Sequence, residues 1–118
     1  MTFPHRGDIY LVEFDPTRGH EIQKTRPAVV IQNDIGNRHS PITIVAAITS
    51  KLSTTPYPVE VVVQPSRESG LTERSAVLLN QIRSIDRKRF VRRLGSLDAE
   101  VMQEVDRALK ISLGLITF

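Results

Sequence analysis

Arg26-Pro27 stands at the entrance of an apolar run, Ala28-Val29-Val30-Ile31, which continues into Gln32-Asn33-Asp34. Proline fixes its own φ near −65° and biases the residue before it away from helix, so Arg26 is delivered in an extended, stiff segment. A guanidinium held that way suits phosphate, because its planar fork of donors matches phosphate oxygens. Arg26 also reads as an ordinary surface arginine after a turn. Other polar side chains gather at the loop–strand junctions: His20, Glu21, Asn33, Asp34, Thr49, Ser50, Gln81 and Arg83. Such a set has the components of metal-free RNA cleavage. A 2′-hydroxyl attacks the adjacent phosphorus, one group takes its proton, another protonates the leaving 5′-oxygen, and a cation with neutral donors stabilises the added charge. Arg26 could supply the charge and Thr49 a neutral donor, while His20 or His39 could move protons.

Each of these residues also has a plainer reading. Thr49 could be a strand-end residue whose hydroxyl ties down the next turn. A lone loop histidine could simply face water. Asn80 and Gln81 could satisfy backbone at a strand edge instead of recognising a base. The basic run Arg83, Arg87, Lys88, Arg89, Arg92 and Arg93 could track a phosphate backbone. A solvated face around a turn is the preferred reading of that run, because aromatic residues for base stacking are sparse there.

Several chemistries find no support. His5, His20 and His39 are scattered, without carboxylates at ligand spacing, so no metal site is expected. There is no Gly-x-Ser-x-Gly elbow, no Walker-type loop and no dinucleotide fingerprint, so no cofactor is expected either. The absence of cysteine removes disulfides and thiolate nucleophiles. It also fits a reducing, cytoplasmic location.

The elements that must position the polar set follow the order of the chain. The length of 118 residues predicts one domain, 1–118. Folding at that size buries roughly two-thirds of the unfolded surface, enough for a core without staples. No apolar run approaches the ~20 residues of a membrane span, and the N-terminus lacks the apolar stretch of a signal peptide. The formal charge of +3 admits nucleic acid or an acidic protein as partner. Alternation and β-branched content predict strands over 9–14, 28–33, 43–49, 59–63 and 75–85. The segment 15–25 reads as a long polar loop, and 34–41, 50–58 and 65–70 as further loops or turns. Asp98 reads as a helix N-cap, with Val101, Val105, Ala108 and Leu109 at helical spacing behind it. Five short strands and a terminal helix predict a mainly β fold, a strongly bent sheet or small barrel capped by the helix.

The ordered set Arg6-Gly7-Asp8-Ile9-Tyr10, Thr25 to Asp34, Ile44 to Thr49, Leu78 to Asp86 and Val105 to Leu109 with Leu113-Gly114-Leu115 resembles the MazF/PemK toxins. These are ribosome-independent mRNA endonucleases of type II toxin–antitoxin pairs. The resemblance covers essentially the whole chain and is nearest to the Gram-positive MazF type, which shares the Ile-Gln-Asn-Asp-Ile-Gly-Asn stretch. It implies an SH3-like small β-barrel with a C-terminal helix, the MazF/PemK/CcdB-like toxin fold, working as a homodimer. It implies Arg26 and Thr49 as the catalytic pair, acting without metal and leaving a 2′,3′-cyclic or 3′ phosphate and a 5′-hydroxyl. His20, Glu21, Asn33, Asp34, Ser50 and Gln81 are the implied RNA contacts. Single-stranded mRNA and a MazE-like antitoxin with an extended acidic tail are the implied partners. The chain departs from many members in having His20 where they have serine and Lys24 where they have glycine. Two other classes remain beside this one: a non-enzymatic CcdB-type gyrase poison on the same scaffold, and a small-barrel RNA-binding module.

Overall fold

The computed structural model of the chain describes residues 3–14, 25–55 and 57–117. Six strands form one antiparallel sheet: β1 (Asp8–Glu13), β2 (Thr25–Val30), β3 (Ile42–Thr49), β4 (Glu60–Val63), β5 (Ser75–Asp86) and β6 (Phe90–Ser96). Their order across the sheet is β4-β5-β3-β2-β1-β6. A short helix, α1 (Asp34–His39), lies between β2 and β3, a 3₁₀ turn (Arg87–Arg89) joins β5 to β6, and α2 (Ala99–Ser112) closes the chain. Among the described residues no helix is long and apolar enough to cross a membrane.

Alternation along the central strands explains why both faces of the sheet are buried. Ile9, Val29, Ile31, Ala46 and Ile48 point to one face, where Val105 and Ala108 of α2 complete the larger core. Val12, Ala28, Val30, Val45 and Ala47 point to the other, where Phe14 and Ile85 cover them and Tyr10 and Phe90 pack alongside. Those two rings stack, 4.2 Å between centroids and 9° between planes.

The sheet curls until its edges meet. The turn after β4 reaches β6: the Ser96 amide donates to the Glu68 carbonyl at 2.8 Å. Gly70 has φ +73°, and a Cβ there would run into the Leu94 carbonyl. A Cβ on Gly95 would likewise strike the Glu68 and Ser69 backbone, so only glycines permit this closure. Register shifts against β1 put bulges in β6, and another interrupts the β3–β5 ladder between Ala46 and Ala47. Bulges add the local twist that a small barrel needs.

The expected mainly β fold with a C-terminal helix is what forms, with three differences in detail. β2 begins at Thr25, before Pro27, and ends at Val30. β3 joins the ladder only from Ala28, so the missing N–H of Pro27 falls where β2 has a single neighbour. The expected loop 34–41 contains α1, capped by the Asn33 side chain, which accepts from the Gly36 amide at 2.8 Å. The basic run contains a sixth strand rather than only a turn. Its charges are tolerated because β6 is an edge strand that faces water. α2 runs as expected from Asp98, whose Oδ1 accepts from the Val101 amide at 2.9 Å.

Candidate active site

Arg26 alternates with Ala28 and Val30 along β2, and Thr49 with Ala47 and Val45 along β3. All four partners belong to the second core, so Arg26 and Thr49 emerge on that same face. The register pairs Ala28 with Ala47. Carried two residues further, it sets Arg26 opposite Thr49 where the core gives way to solvent. Arg26 is exposed and Thr49 half-buried. The floor between them is alanine on both strands, Ala28 and Ala47, and both are buried in the second core.

The side chain of Arg26 makes no hydrogen bond or ion pair among the described residues. Its backbone is fixed by pairing with Val12 of β1. The result is a cation with a placed stem and uncommitted donors. Thr49 shows the plainer of the two readings given to it. Its Oγ1 accepts from the Lys51 amide at 3.1 Å, tying down the turn after β3. A hydroxyl that accepts in this way keeps its own proton to donate. Ser50 follows it and is exposed.

Gln81 reaches the same region through the bulge in β5. Ala46 pairs with Ile82 but Ala47 with Leu78, so residues 79–81 are extra. Leu79 turns into the first core, while Asn80 and Gln81 stay exposed beside the alanine floor. The sequence carries a signal for this: two adjacent polar residues between the inward-facing Leu79 and Ile82 break the two-residue period.

Asn33 and Asp34 lie beyond the opposite end of β2. The four steps from Arg26 to Val30 alone span about 13 Å. The Asn33 Oδ1 is occupied as the α1 cap, and the Asp34 Oδ1 accepts from the Arg6 amide at 2.7 Å and from Asn37 Nδ2 at 3.3 Å. Both residues remain exposed through their other atoms. His20 and Glu21 lie outside the described residues. Among the described residues no group of three or more His, Cys, Asp or Glu side chains comes together.

Four residues carry roles the sequence did not assign. Phe14 closes the second core at the end of β1, and the Arg83 guanidinium sits over its ring, 5.5 Å from the centroid. Arg89 donates to the Glu13 and Phe14 carbonyls at 3.3 and 3.2 Å, fixing the end of β1. Arg6 fastens the far end, donating to the Ile31 carbonyl at 2.8 Å and pairing with Asp106 of α2. The basic run is thus only partly a solvated face. Arg87 donates to the Asn37 carbonyl at 3.3 Å and Arg93 pairs with Asp8 at 3.1 Å, so both are structural.

Comparison with known proteins decides the lineage. The family model for the PemK-like, MazF-like toxin of type II toxin–antitoxin systems matches residues 5–113. The chain belongs to that family. It is 47% identical over 113 residues to the endoribonuclease EndoA of Bacillus subtilis (strain 168), spanning 96% of this chain and 97% of that one. Among solved structures it resembles the MazE–MazF complex (form II) of Deinococcus radiodurans, with TM-score 0.79 and 30% identity over 96% and 97% of the two chains. It also resembles Deinococcus radiodurans MazF alone (form I), with TM-score 0.76 and 30% identity over 97% and 99%. The expected small-barrel toxin fold is therefore the fold of this chain.

Proposed function

We propose that the chain is a toxin endoribonuclease that cleaves single-stranded mRNA in the cytoplasm without a metal ion. The observation that carries this reading is the facing pair Arg26 and Thr49, with the Arg26 donors without a partner among the described residues and the Thr49 hydroxyl proton available. The 47% identical relative, named an endoribonuclease, supports the reaction class.

In the reaction, the 2′-oxygen of one nucleotide bonds to the adjacent phosphorus and the bond to the 5′-oxygen breaks. The products are a 2′,3′-cyclic phosphate, which water can open to a 3′ phosphate, and a 5′-hydroxyl. Arg26 grips the non-bridging oxygens, whose charge grows as the fifth bond forms, and Thr49 donates to one of them. The 2′-hydroxyl proton goes to a base, and a proton is returned to the 5′-oxygen. Arginine itself is a poor base, since its pKa exceeds 12. Glu21 and His20 are the carboxylate and imidazole nearest to Arg26 in sequence, and one of them or a water takes that part. Gln81 and Ser50 are the base contacts closest to the cut. Asn33 and Asp34 meet RNA only through atoms that α1 leaves unused.

The solved MazE–MazF complex of Deinococcus radiodurans supports a MazE-like antitoxin as partner. In this reading the antitoxin blocks the same face and the chain works as a homodimer, as the family resemblance implies. The test is incubation of purified chain with several unrelated single-stranded transcripts. The reading expects discrete cuts at one short motif. Intact RNA across all transcripts at micromolar protein would contradict it and favour a binding module.

A further inference from the structure

We infer that Tyr57 is a stacking platform for an RNA base beside the scissile position, and that Glu60 is the positioning residue that holds it there. The inference rests on the nuclease reading above and adds a binding residue to it. Val61 and Val63 of β4 point into the first core, so Glu60 and Val62 face the other way. Glu60 pairs with Leu78, and Leu78 pairs on its far side with Ala47. The Glu60 carboxylate therefore stands on the face of Ala47 and Thr49, about 10 Å across the sheet from Ala47. There it gathers the segment that leaves Thr49 and returns as β4. It accepts from the Ser53 hydroxyl at 3.3 Å and from the Tyr57 amide at 3.4 Å. The Glu60 amide closes the turn on the Tyr57 carbonyl at 2.9 Å, and the Leu79 amide donates to the Val59 carbonyl at 2.9 Å. That last bond ties the turn to the bulge that presents Asn80 and Gln81.

Tyr57 itself is 61% exposed. Among the described residues no other tyrosine or phenylalanine is exposed. Its backbone is held at both its amide and its carbonyl, and Pro58 after it favours an extended conformation. A tyrosine has only two side-chain torsions to fix, so contact through its ring costs little freedom. A single exposed aliphatic residue such as Ile35 needs no ligand to explain it. An aromatic ring on a fixed backbone beside a single-strand nuclease site is different. Single-stranded RNA splays its bases and stacks them on such rings. Every base has a π face, so the platform holds whichever base arrives and leaves its edge to Gln81 and Ser50.

The experiment measures binding of a 2′-O-methyl single-stranded RNA of mixed sequence, which cannot be cut because the attacking hydroxyl is blocked. Kd is recorded against salt for the wild type, Tyr57→Ala, Tyr57→Phe, Glu60→Ala and the Tyr57→Ala/Glu60→Ala double variant, with melting temperatures alongside. Stacking releases no counterions, so Tyr57→Ala is expected to weaken Kd roughly 5- to 100-fold with the slope of log Kd against log salt unchanged. Tyr57→Phe is expected to keep the wild-type Kd. The sequence has no tryptophan, so Tyr57→Trp adds a single indole reporter at the platform. Its emission should be quenched in step with RNA binding and left alone by inorganic polyphosphate, which has the charge but no bases. Glu60→Ala should weaken binding in the wild-type background and add nothing further in Tyr57→Ala. Wild-type affinity in a folded Tyr57→Ala overturns the inference and leaves the ring to a protein partner. A lowered salt slope in Tyr57→Ala overturns it too, as does unquenched Tyr57→Trp emission with RNA bound. A full Glu60→Ala effect in the Tyr57→Ala background overturns the positioning role. If the wild type cuts RNA while Tyr57→Ala binds normally, only Tyr57 is misassigned. If the wild type neither cuts nor binds, both readings fall.

Discussion

Arg26 stands at one end of β2, and Asn33 and Asp34 stand just past the other. All three are exposed polar residues at the junction of a strand with what adjoins it, and from their types alone they are equivalent candidates. The structure treats them oppositely. At the far end the polar atoms build architecture. Asn33 caps α1, Asp34 receives the Arg6 amide, and the fully buried Asn37 bonds to Gln32, Asp34 and Thr43. At the near end the backbone is also paired, yet among the described residues the Arg26 donors have no partner. A group already satisfied by its own protein contributes to stability; a group held in place but unsatisfied is available to a ligand. The difference lies in what surrounds each residue.

Substitutions at the two ends should therefore separate activity from stability. The largest effect is expected from Arg26→Ala, which should cut the cleavage rate by about 10²–10³-fold, as loss of a transition-state donor does. Its unfolding free energy should stay within about 0.5 kcal/mol of wild type, as for an exposed side chain. A stability loss large enough to explain the rate would break the comparison. Asn37→Ala should do the reverse, lowering stability by about 2–3 kcal/mol because the groups it satisfies are buried, while the folded fraction keeps its kcat. Thr49→Ala should lower kcat about tenfold with little change in RNA affinity, and Thr49→Ser should restore it. If affinity falls instead, Thr49 is a binding residue. Asn33→Ala should cost about 1 kcal/mol as a lost helix cap. A fall in RNA affinity beyond that would show that Asn33 serves both ends of the argument.

The smallest effect concerns alkaline stability. Burial raises the Tyr10 hydroxyl above its ordinary value of 10.0, and Asp8 adds to this, while Arg93 and Arg87 pull the other way. The folded protein then holds the phenol proton more tightly than the unfolded chain. That contribution is complete below pH 10 and is lost as the pH rises through the folded value. Melting temperature should fall above pH 10 more steeply in wild type than in Tyr10→Phe.

The strands were legible because their periods are local. Val45, Ala47 and Thr49 fall on one face by alternation alone, and Asp98 followed by Val101, Val105 and Ala108 reads as a capped helix. The stiff entry of Arg26 could be read from Pro27 beside it. Two elements were not legible, for physical reasons. α1 contains Gly36 and Asn37, both poor helix formers, and it forms because Asn37 is buried against Gln32 and Thr43. β6 reads Phe-Val-Arg-Arg-Leu-Gly-Ser, whose charges look like a solvated turn until it is placed at a sheet edge and bent by bulges. The facing of Arg26 and Thr49 was implied by family resemblance. Its physical basis, the β2–β3 register, depends on contacts that no single strand's sequence contains. The shelf of Arg83 on Phe14 brings together residues 69 positions apart and has no local signature.

The most direct test of the central claim is to cut a long single-stranded RNA in excess EDTA and determine the chemistry of the new ends. Cleavage undiminished by EDTA, leaving 5′-hydroxyl and 2′,3′-cyclic or 3′ phosphate ends, is the predicted result, and it should disappear with Arg26→Ala. Cleavage that EDTA abolishes, or that leaves 5′ phosphate and 3′-hydroxyl ends, would contradict attack by the 2′-oxygen at Arg26 and Thr49.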